Sequence, residues 1–599
     1  MFWLFERAAP AVGPRVSPGW RGAIPVAQGL GLALGLGLCY FSDSAPLKVL
    51  GVALFGILAM QRADLALLFV PLTAPWFLLQ LRLPGLLPHA VPPHELALAL
   101  TGAAAPIALL ARPGELRRAL ARLRQPPRVE QWLRRYAPEL LLLLAGIAGI
   151  LFTAPQAVAR QDALRAFRWF IAEPLAFVAL THWLGQASPA RDGSAPIVHR
   201  LAAAFVSGGC AVALWALAQF AGMLIAPGAF QQNLGLDFSA DVLGRLPRVA
   251  SIYPNPNNLG LYMGRVWPLA AMLGMAAYRR RRGLGLVYGL GALLCLGGML
   301  VSFSRGAWLG AGAALVVLLL PELMRRFRAW LLPVLVLGAG VLAGVAALML
   351  GLRGGFAGGS VNVRLLLWRE ALALIERHPF GLGLDQFYYY HNPVFGNSLI
   401  DPALATTNDR NAHQPHTLLL ELWLNLGPLG VCALALLLAR AIFGARGALR
   451  GLALAAGPGA AAGQKPWVLE ARLRVLGALA ALTGALVHGL VDTFYFWPDL
   501  AISLWLLIML VRYDTALATP PAAARPALDV ARVWRPMAWA GGALPLRVGW
   551  RGAYPVEVAA RSSAARNGAR IPELPVCAGN VVPSARRGRR ARKRLGEVV

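Results

Sequence analysis

The sequence predicts an all-α, polytopic integral membrane protein with about 12–14 transmembrane helices and one long extracytoplasmic loop that contains an amphipathic helix. Three observations carry that expectation. Of 599 residues, 58% are hydrophobic and 14% charged, and mean hydropathy is +0.58, so lipid rather than water solvates most of the chain. The apolar residues come in runs near the length that a bilayer-crossing helix needs. Arginines gather between these runs, as they do in cytoplasmic loops.

Taken in order, the runs lie near residues 22 to 41, 46 to 60, 63 to 80, 94 to 111, 138 to 155, 169 to 186, 201 to 225, 258 to 278, 284 to 302, 306 to 321, 330 to 350, 417 to 440, 474 to 491 and 497 to 511. The second and the last two are short, which is why the expected number is a range. Residues 112 to 136 carry eight Arg, "RRRR" occupies 279 to 282, "RRFR" occupies 325 to 328, and Arg440, Arg446 and Arg450 follow the twelfth run. Counting every span puts all of these on one side, the cytoplasm, together with Arg7, Arg15 and Arg21. The segments around 156 to 167, 226 to 257, Ser304 and Arg305, and 351 to 416 then share the opposite side.

The net charge of +30 reflects these Arg-rich connections and does not call for a nucleic-acid partner; membrane lipid is the expected surrounding. Cys39, Cys210, Cys295 and Cys432 sit in apolar runs and read as packing residues, and Cys577 lies in the tail. The opening "MFWLFERAAP" does not have the order of a secretory signal.

Three regions follow. Residues 1–21 are expected to be a cytoplasmic amino terminus, 22–511 the transmembrane domain, and 512–599 a basic, disordered cytoplasmic tail with "RRGRRARKR" at 586 to 594. Within the domain, the connection 351–416 is far longer than an ordinary loop and balances five Arg against five acidic residues. Its "VNVRLLLWREALALIERHPFG" sets Leu366, Ala373 and Leu374 against Arg369, Glu370, Glu376 and Arg377, the pattern of an amphipathic helix on a membrane surface. The rest, from "LGLDQFYYYHNP" to "NDRNAHQ", is aromatic and small-polar, which suits a sugar-facing surface and equally an interfacial belt.

Polar groups gathered at one membrane face carry the chemical information. They lie in "GRLPRVASIYPNPNNLGLYMGR" (244 to 265), "SFSRGAWLG" (302 to 310) and the 351–416 loop with the helix turn after it. His416 follows Pro415 at the head of an apolar helix, near the N-cap, where the positive end of the dipole favours a neutral imidazole able to take a proton. His413, three residues earlier, is the weaker candidate. Arg248 precedes a turn stiffened by Asn255 and Asn257, and Arg364 heads the amphipathic helix. Their guanidinium groups suit diphosphate oxygens, with Arg245, Arg265, Arg305 and Arg369 able to assist. Glu421 and Asn425, a turn apart below His416, orient the site or satisfy each other. No Asp-x-Asp pair, His-Glu-x-x-His helix or Cys/His cluster offers metal ligands on that side, so no metal and no cofactor is expected.

These same segments resemble the bacterial O-antigen ligase and O-antigen polymerase superfamily. "RVASIYPNPNNLG" is similar to its Arg-Val-x-Gly-Thr-Phe-x-Asn-Pro-Asn-x-Leu-Ala signature, and "SFSRGAWLG" to its Ser-x-Ser-Arg-Gly-Ala segment. "RLLLWREALALIERHPFGLGLDQF" and "HTLLLELWLNLGPLG" resemble the Arg-x(3)-Trp helix and the block that opens with the family's histidine. The resemblance covers about 245 to 440. It implies a metal-independent, inverting glycosyltransferase of the bacterial inner membrane that works at the periplasmic face on an undecaprenyl (polyprenyl) diphosphate-linked glycan. Arg248 and Arg364 would hold the diphosphate, and His416 would be the catalytic base. Ser251 replaces the family's usual Gly, and Thr417 replaces the Asn that follows its histidine.

The favoured reaction is O-antigen ligation to lipid A-core. Alternatives are an O-antigen or exopolysaccharide polymerase and an O-linked protein oligosaccharyltransferase, which would use another glycan or a protein as acceptor. From a different class, a flippase or transporter for the same lipid-linked glycan would place ionisable groups near the midplane and show related halves. Here the polar groups crowd one face.

Overall fold

The computed structural model describes residues 18–83, 89–110, 129–187, 195–226, 247–326, 359–392, 395, 411–455 and 466–518. These are helical and connecting segments without a strand, apart from one isolated bridge between Leu81 and Val91, so the protein is all-α among the described residues. In chain order the longer helices are α1 (Pro18–Phe41), α2 (Ala45–Gln61), α3 (Pro93–Leu110), α4 (Val129–Leu151), α5 (Ala157–Phe167), α6 (Glu173–Ala187) and α7 (Ile197–Ile225). They continue with α8 (Pro256–Tyr278), α9 (Arg282–Leu300), α10 (Arg305–Arg326), α11 (Gly359–Arg377), α12 (Leu418–Ala455), α13 (Pro466–Gly489) and α14 (Pro498–Ala518).

Five stretches, Ile197–Ile225, Arg282–Leu300, Arg305–Glu322, Leu418–Gly451 and Trp467–Gly489, are long and apolar enough to cross a membrane. The chain is therefore a multi-pass membrane protein. The expected run at 63 to 80 is not one helix. It breaks into Ala63–Ala66, Phe69–Thr73 and a 3-10 turn at Ala74–Trp76, where Pro71 and Pro75 withhold backbone donors. The run at 169 to 186 starts earlier, as α5, and passes through a π-turn at Arg168–Ala172 into α6. The run at 330 to 350 lies outside the described residues.

The core centres on α14. Leu504, Trp505, Leu507, Ile508 and Leu510 are all fully buried, and their spacing covers every face of the helix, so α14 is enclosed by protein rather than lipid. It packs against α6, α7, α12 and α13. The helix runs to Ala518, past the expected domain boundary at 512, because Asp514 is buried between Arg474 (2.9 Å) and His199 (3.2 Å).

The kink in α12 shapes the site. Pro428 has no N–H to give the carbonyl of Leu424 four residues back, and Gly427 adopts φ 63°, a conformation that suits glycine. The freed Leu424 carbonyl accepts instead from the amides of Leu382 (2.7 Å) and Gly383 (3.3 Å). The indole of Trp423 donates to the carbonyl of Pro379 at 2.9 Å. The segment after α11 is thereby fastened to the head of α12.

Candidate active site

The first motif forms the start of α8. Asn255 is its N-cap, its side chain accepting from the amide of Asn257 at 2.8 Å, and Pro256 supplies the favoured first helical residue. The side chain of Asn257 in turn accepts from Nη2 of Arg248 at 3.1 Å, and Arg248 Nε donates to the carbonyl of Ser302 at 3.2 Å. Asn255 thus fixes the turn and Asn257 holds the Arg248 guanidinium. Ser251 has φ 59°, a left-handed backbone that favours Gly. Its Oγ donates to the carbonyl of Val212 (2.8 Å), while its amide and carbonyl pair with the side chain of Gln219 (2.8 and 2.9 Å).

The second motif turns into α10 with Arg305 as its first, half-buried residue. Ser304 Oγ stands 3.4 Å from Nε2 of His488 near the end of α13. Gly306 makes that approach feasible, since a Cβ there would collide with the His488 ring. A continuous series of contacts thus runs from Arg248 through Ser302 and Ser304 to His488, and His488 lies one turn before Asp492.

Asp492 is the junction. It lies in the connection between α13 and α14, its side chain only 3% exposed. Oδ1 is 3.1 Å from Nδ1 of His416 and also accepts from the amide of Thr493 (2.9 Å); Oδ2 accepts from Nη2 of Arg364 (3.1 Å). Burial alone would push the carboxyl up, but the hydrogen bond with His416 and the charges of His416 and Arg364 outweigh it and hold Asp492 well below the usual carboxylate range. With Nδ1 facing the Asp492 carboxylate, Nε2 is the other edge of the His416 ring.

His416 is not the cap of α12. The carbonyl of Thr417 accepts from the amide of Glu421 (3.0 Å), so Thr417 takes that place and His416 stands just outside the helix with φ 54°. The indole of Trp368 on α11 holds this turn by donating to the carbonyl of Pro415 at 3.0 Å. The partner of the imidazole is a side chain, Asp492, rather than the helix end.

Around α11 the expected pattern changes. Leu367, Ala371 and Leu374 are buried with Leu382, Phe387 and Leu424, so this face meets protein, and Glu370, expected on the polar side, is buried too. Arg364 precedes that row by three residues and shares its face. Arg369 is about 140° further round the helix and exposed, apart from the Arg364–Asp492 pair. Arg265 is fully buried, its Nη1 2.9 Å from Ser503 Oγ and its guanidinium over the ring of Phe494, so it braces α14 rather than facing a ligand. Arg245 lies outside the described residues. Asn425 donates to the carbonyl of Glu421 (2.8 Å) and accepts from the amide of Asp385 (2.7 Å), which makes it a brace for the loop. Glu421 is buried, with Oε2 unpaired. His413 faces a different cluster, stacked on Tyr388. Among the described residues, no group of three or more His, Cys, Asp and Glu gathers as a metal site.

Sequence reading did not single out Asp492 or His488. The signal was available: "VHGLVDTF" places an imidazole and a carboxylate where two apolar runs meet.

Fold and site together define a multi-pass, all-helical membrane protein with a His–Asp–Arg cluster at one end of its bundle. Residues 290–438 match the family model described as O-antigen ligase, in line with the resemblance of the motifs they contain. No curated protein matches the chain.

Proposed function

We propose that the protein is a glycosyltransferase that moves a glycan from an undecaprenyl (polyprenyl) diphosphate donor to an acceptor hydroxyl at the periplasmic face of the inner membrane, with lipid A-core as the acceptor. The observation that carries this reading is the single carboxylate of Asp492 joining His416 to Arg364. A base and a cation held a few ångströms apart by one acid suit a displacement at a carbon bonded to a polyanionic leaving group.

In the proposed step, the acceptor oxygen attacks the anomeric carbon while its proton passes to Nε2 of His416. The bond from that carbon to the diphosphate oxygen breaks, and the electron pair leaves with the diphosphate. Asp492 orients the ring and stabilises the imidazolium that forms. Arg364, with Arg248 and support from Arg305 and Arg369, takes the charge that accumulates on the diphosphate. Attack opposite the leaving group inverts the anomeric configuration, and no metal takes part.

The test is glycan transfer by the purified protein from the lipid-linked donor to lipid A-core, with and without chelator. His416→Ala is expected to lower kcat by about 10²- to 10⁴-fold, whereas His413→Ala is expected to act on KM and not on kcat. Product analysis by NMR reads the anomeric configuration. Equal transfer by wild type and His416→Ala removes His416 from the chemistry, and retained configuration removes the single displacement.

A further inference from the structure

We infer that the ring stack of Tyr388 and His413, with the Asp162–Arg165–Asp385 network beside it, is a carbohydrate subsite. This rests on the glycan-transfer reading and adds where the sugar is held.

The two rings lie nearly parallel, 13° apart with centroids at 4.4 Å. Tyr388 is fixed from the side by Phe395 (5.5 Å, 78°) and Tyr389 (5.5 Å, 74°). His413 is exposed although one face lies on Tyr388, so its open area is the opposite face and edge. A flat, braced ring presented to solvent matches the C–H face of a pyranose, as it does other flat apolar surfaces.

The polar part of the subsite is built from α5 and the loop. Arg165 lies 2.8 Å from Asp162 and 3.1 Å from Asp385, and Tyr389 donates to Asp162 at 2.6 Å. The side chains of Arg165, Asp385 and Asp162 remain 42%, 24% and 16% exposed, so their spare lone pairs and N–H groups are open to vicinal hydroxyls. Tyr389 joins stack and network, its ring meeting Tyr388 at 5.5 Å while its hydroxyl donates to Asp162. His413 and His416 are three residues apart, at most about 10–11 Å between Cα atoms, so a short oligosaccharide reaches from one to the other.

The test uses the full-length protein in lipid nanodiscs, the undecaprenyl diphosphate-linked oligosaccharide of the producing cell as donor, and lipid A-core as acceptor. The double variant Tyr388→Ala, His413→Ala is expected to raise one KM by about tenfold with kcat nearly unchanged. A rise for the donor assigns the subsite to the transferred glycan, and a rise for the acceptor assigns it to the core sugar. His413→Phe, which keeps a flat ring, is expected to retain a wild-type KM. Unchanged KM for both substrates, or a loss of kcat that His413→Phe shares, overturns the subsite. Saturation-transfer NMR with the free oligosaccharides of donor and core separates this from the reaction itself. Saturation of pyranose protons is expected in wild type and in His416→Ala and lost in the double variant; binding unaffected by the double variant overturns the subsite even when transfer is intact.

Discussion

Asp492 grips His416 by the Nδ1 edge at 3.1 Å from a position 76 residues further along the chain. Replacing the acid by its amide keeps the shape but removes the charge that would offset an imidazolium. Asp492→Asn is expected to lower kcat by about 10²-fold or more, with the fold intact. Steady-state transfer rates check this, and an unchanged kcat would detach Asp492 from the reaction.

The same carboxylate makes stability depend on pH. Its folded-state affinity for protons is depressed, so the unfolded chain binds a proton first as pH falls. The stabilisation is present above the unfolded carboxylate value of about 3.9 and is lost as pH drops below it toward the folded value. Thermal unfolding of wild type and Asp492→Asn between neutral pH and the acid range measures it; the variant should show the shallower acid slope.

Ser251 carries opposing effects in one residue. Glycine would relieve its left-handed backbone, by about 1 kcal/mol, but would lose a hydroxyl hydrogen bond of similar size. Ser251→Gly is therefore expected to leave the melting temperature nearly unchanged. Ser251→Ala keeps the strain and loses the bond, and should melt lower by about 1 kcal/mol equivalent. Equal melting of both variants would mean that the left-handed backbone costs nothing, and a Ser251→Ala that melts like wild type would mean that the Val212 contact contributes nothing.

Gly427 permits no such exchange. A Cβ there meets the carbonyl of Phe380 while the backbone remains at positive φ. Gly427→Ala is expected to release the loop after α11 from α12 and to abolish transfer. Faster proteolysis within 378–392 would register the release; unchanged proteolysis and transfer would show that the kink tolerates a side chain.

Arg364→Lys keeps a cation but loses the planar fork. It should raise the donor KM by about tenfold or more, whereas Arg369→Lys, away from Asp492, should raise it less. Donor titrations rank the two.

Much of this was legible in the sequence because lipid simplifies the reading. Apolar run length marked α7, α9, α12 and α13, and the Asn-Pro-Asn turn marked the head of α8 as its cap geometry requires. Reading the topology put Arg248, Ser304, Arg364 and His416 on one side of the membrane, Arg364 by way of the helix it heads within the 351–416 loop. What escaped was partnership between distant segments. Asp492 comes from a connection between two short apolar runs, and nothing local says that its partner is His416. The buried side of α11 also escaped: "LLLWREALALIER" has an amphipathic spacing, and a periodicity cannot say whether lipid or protein covers the apolar face. His416 stands one residue before the cap, Thr417, near the helix start as its position after Pro415 suggested.

The placement of Asp492 has a consequence for how the protein comes into being. The ribosome makes Arg364 and His416 first, and the acid that joins them follows with the connection after α13, beyond the region matched by the family model. A chain still in synthesis has the imidazole and the guanidinium without their link, so the cluster is completed only as the last helices reach the membrane. An unfinished or prematurely terminated chain therefore carries His416 and Arg364 without the carboxylate that joins them.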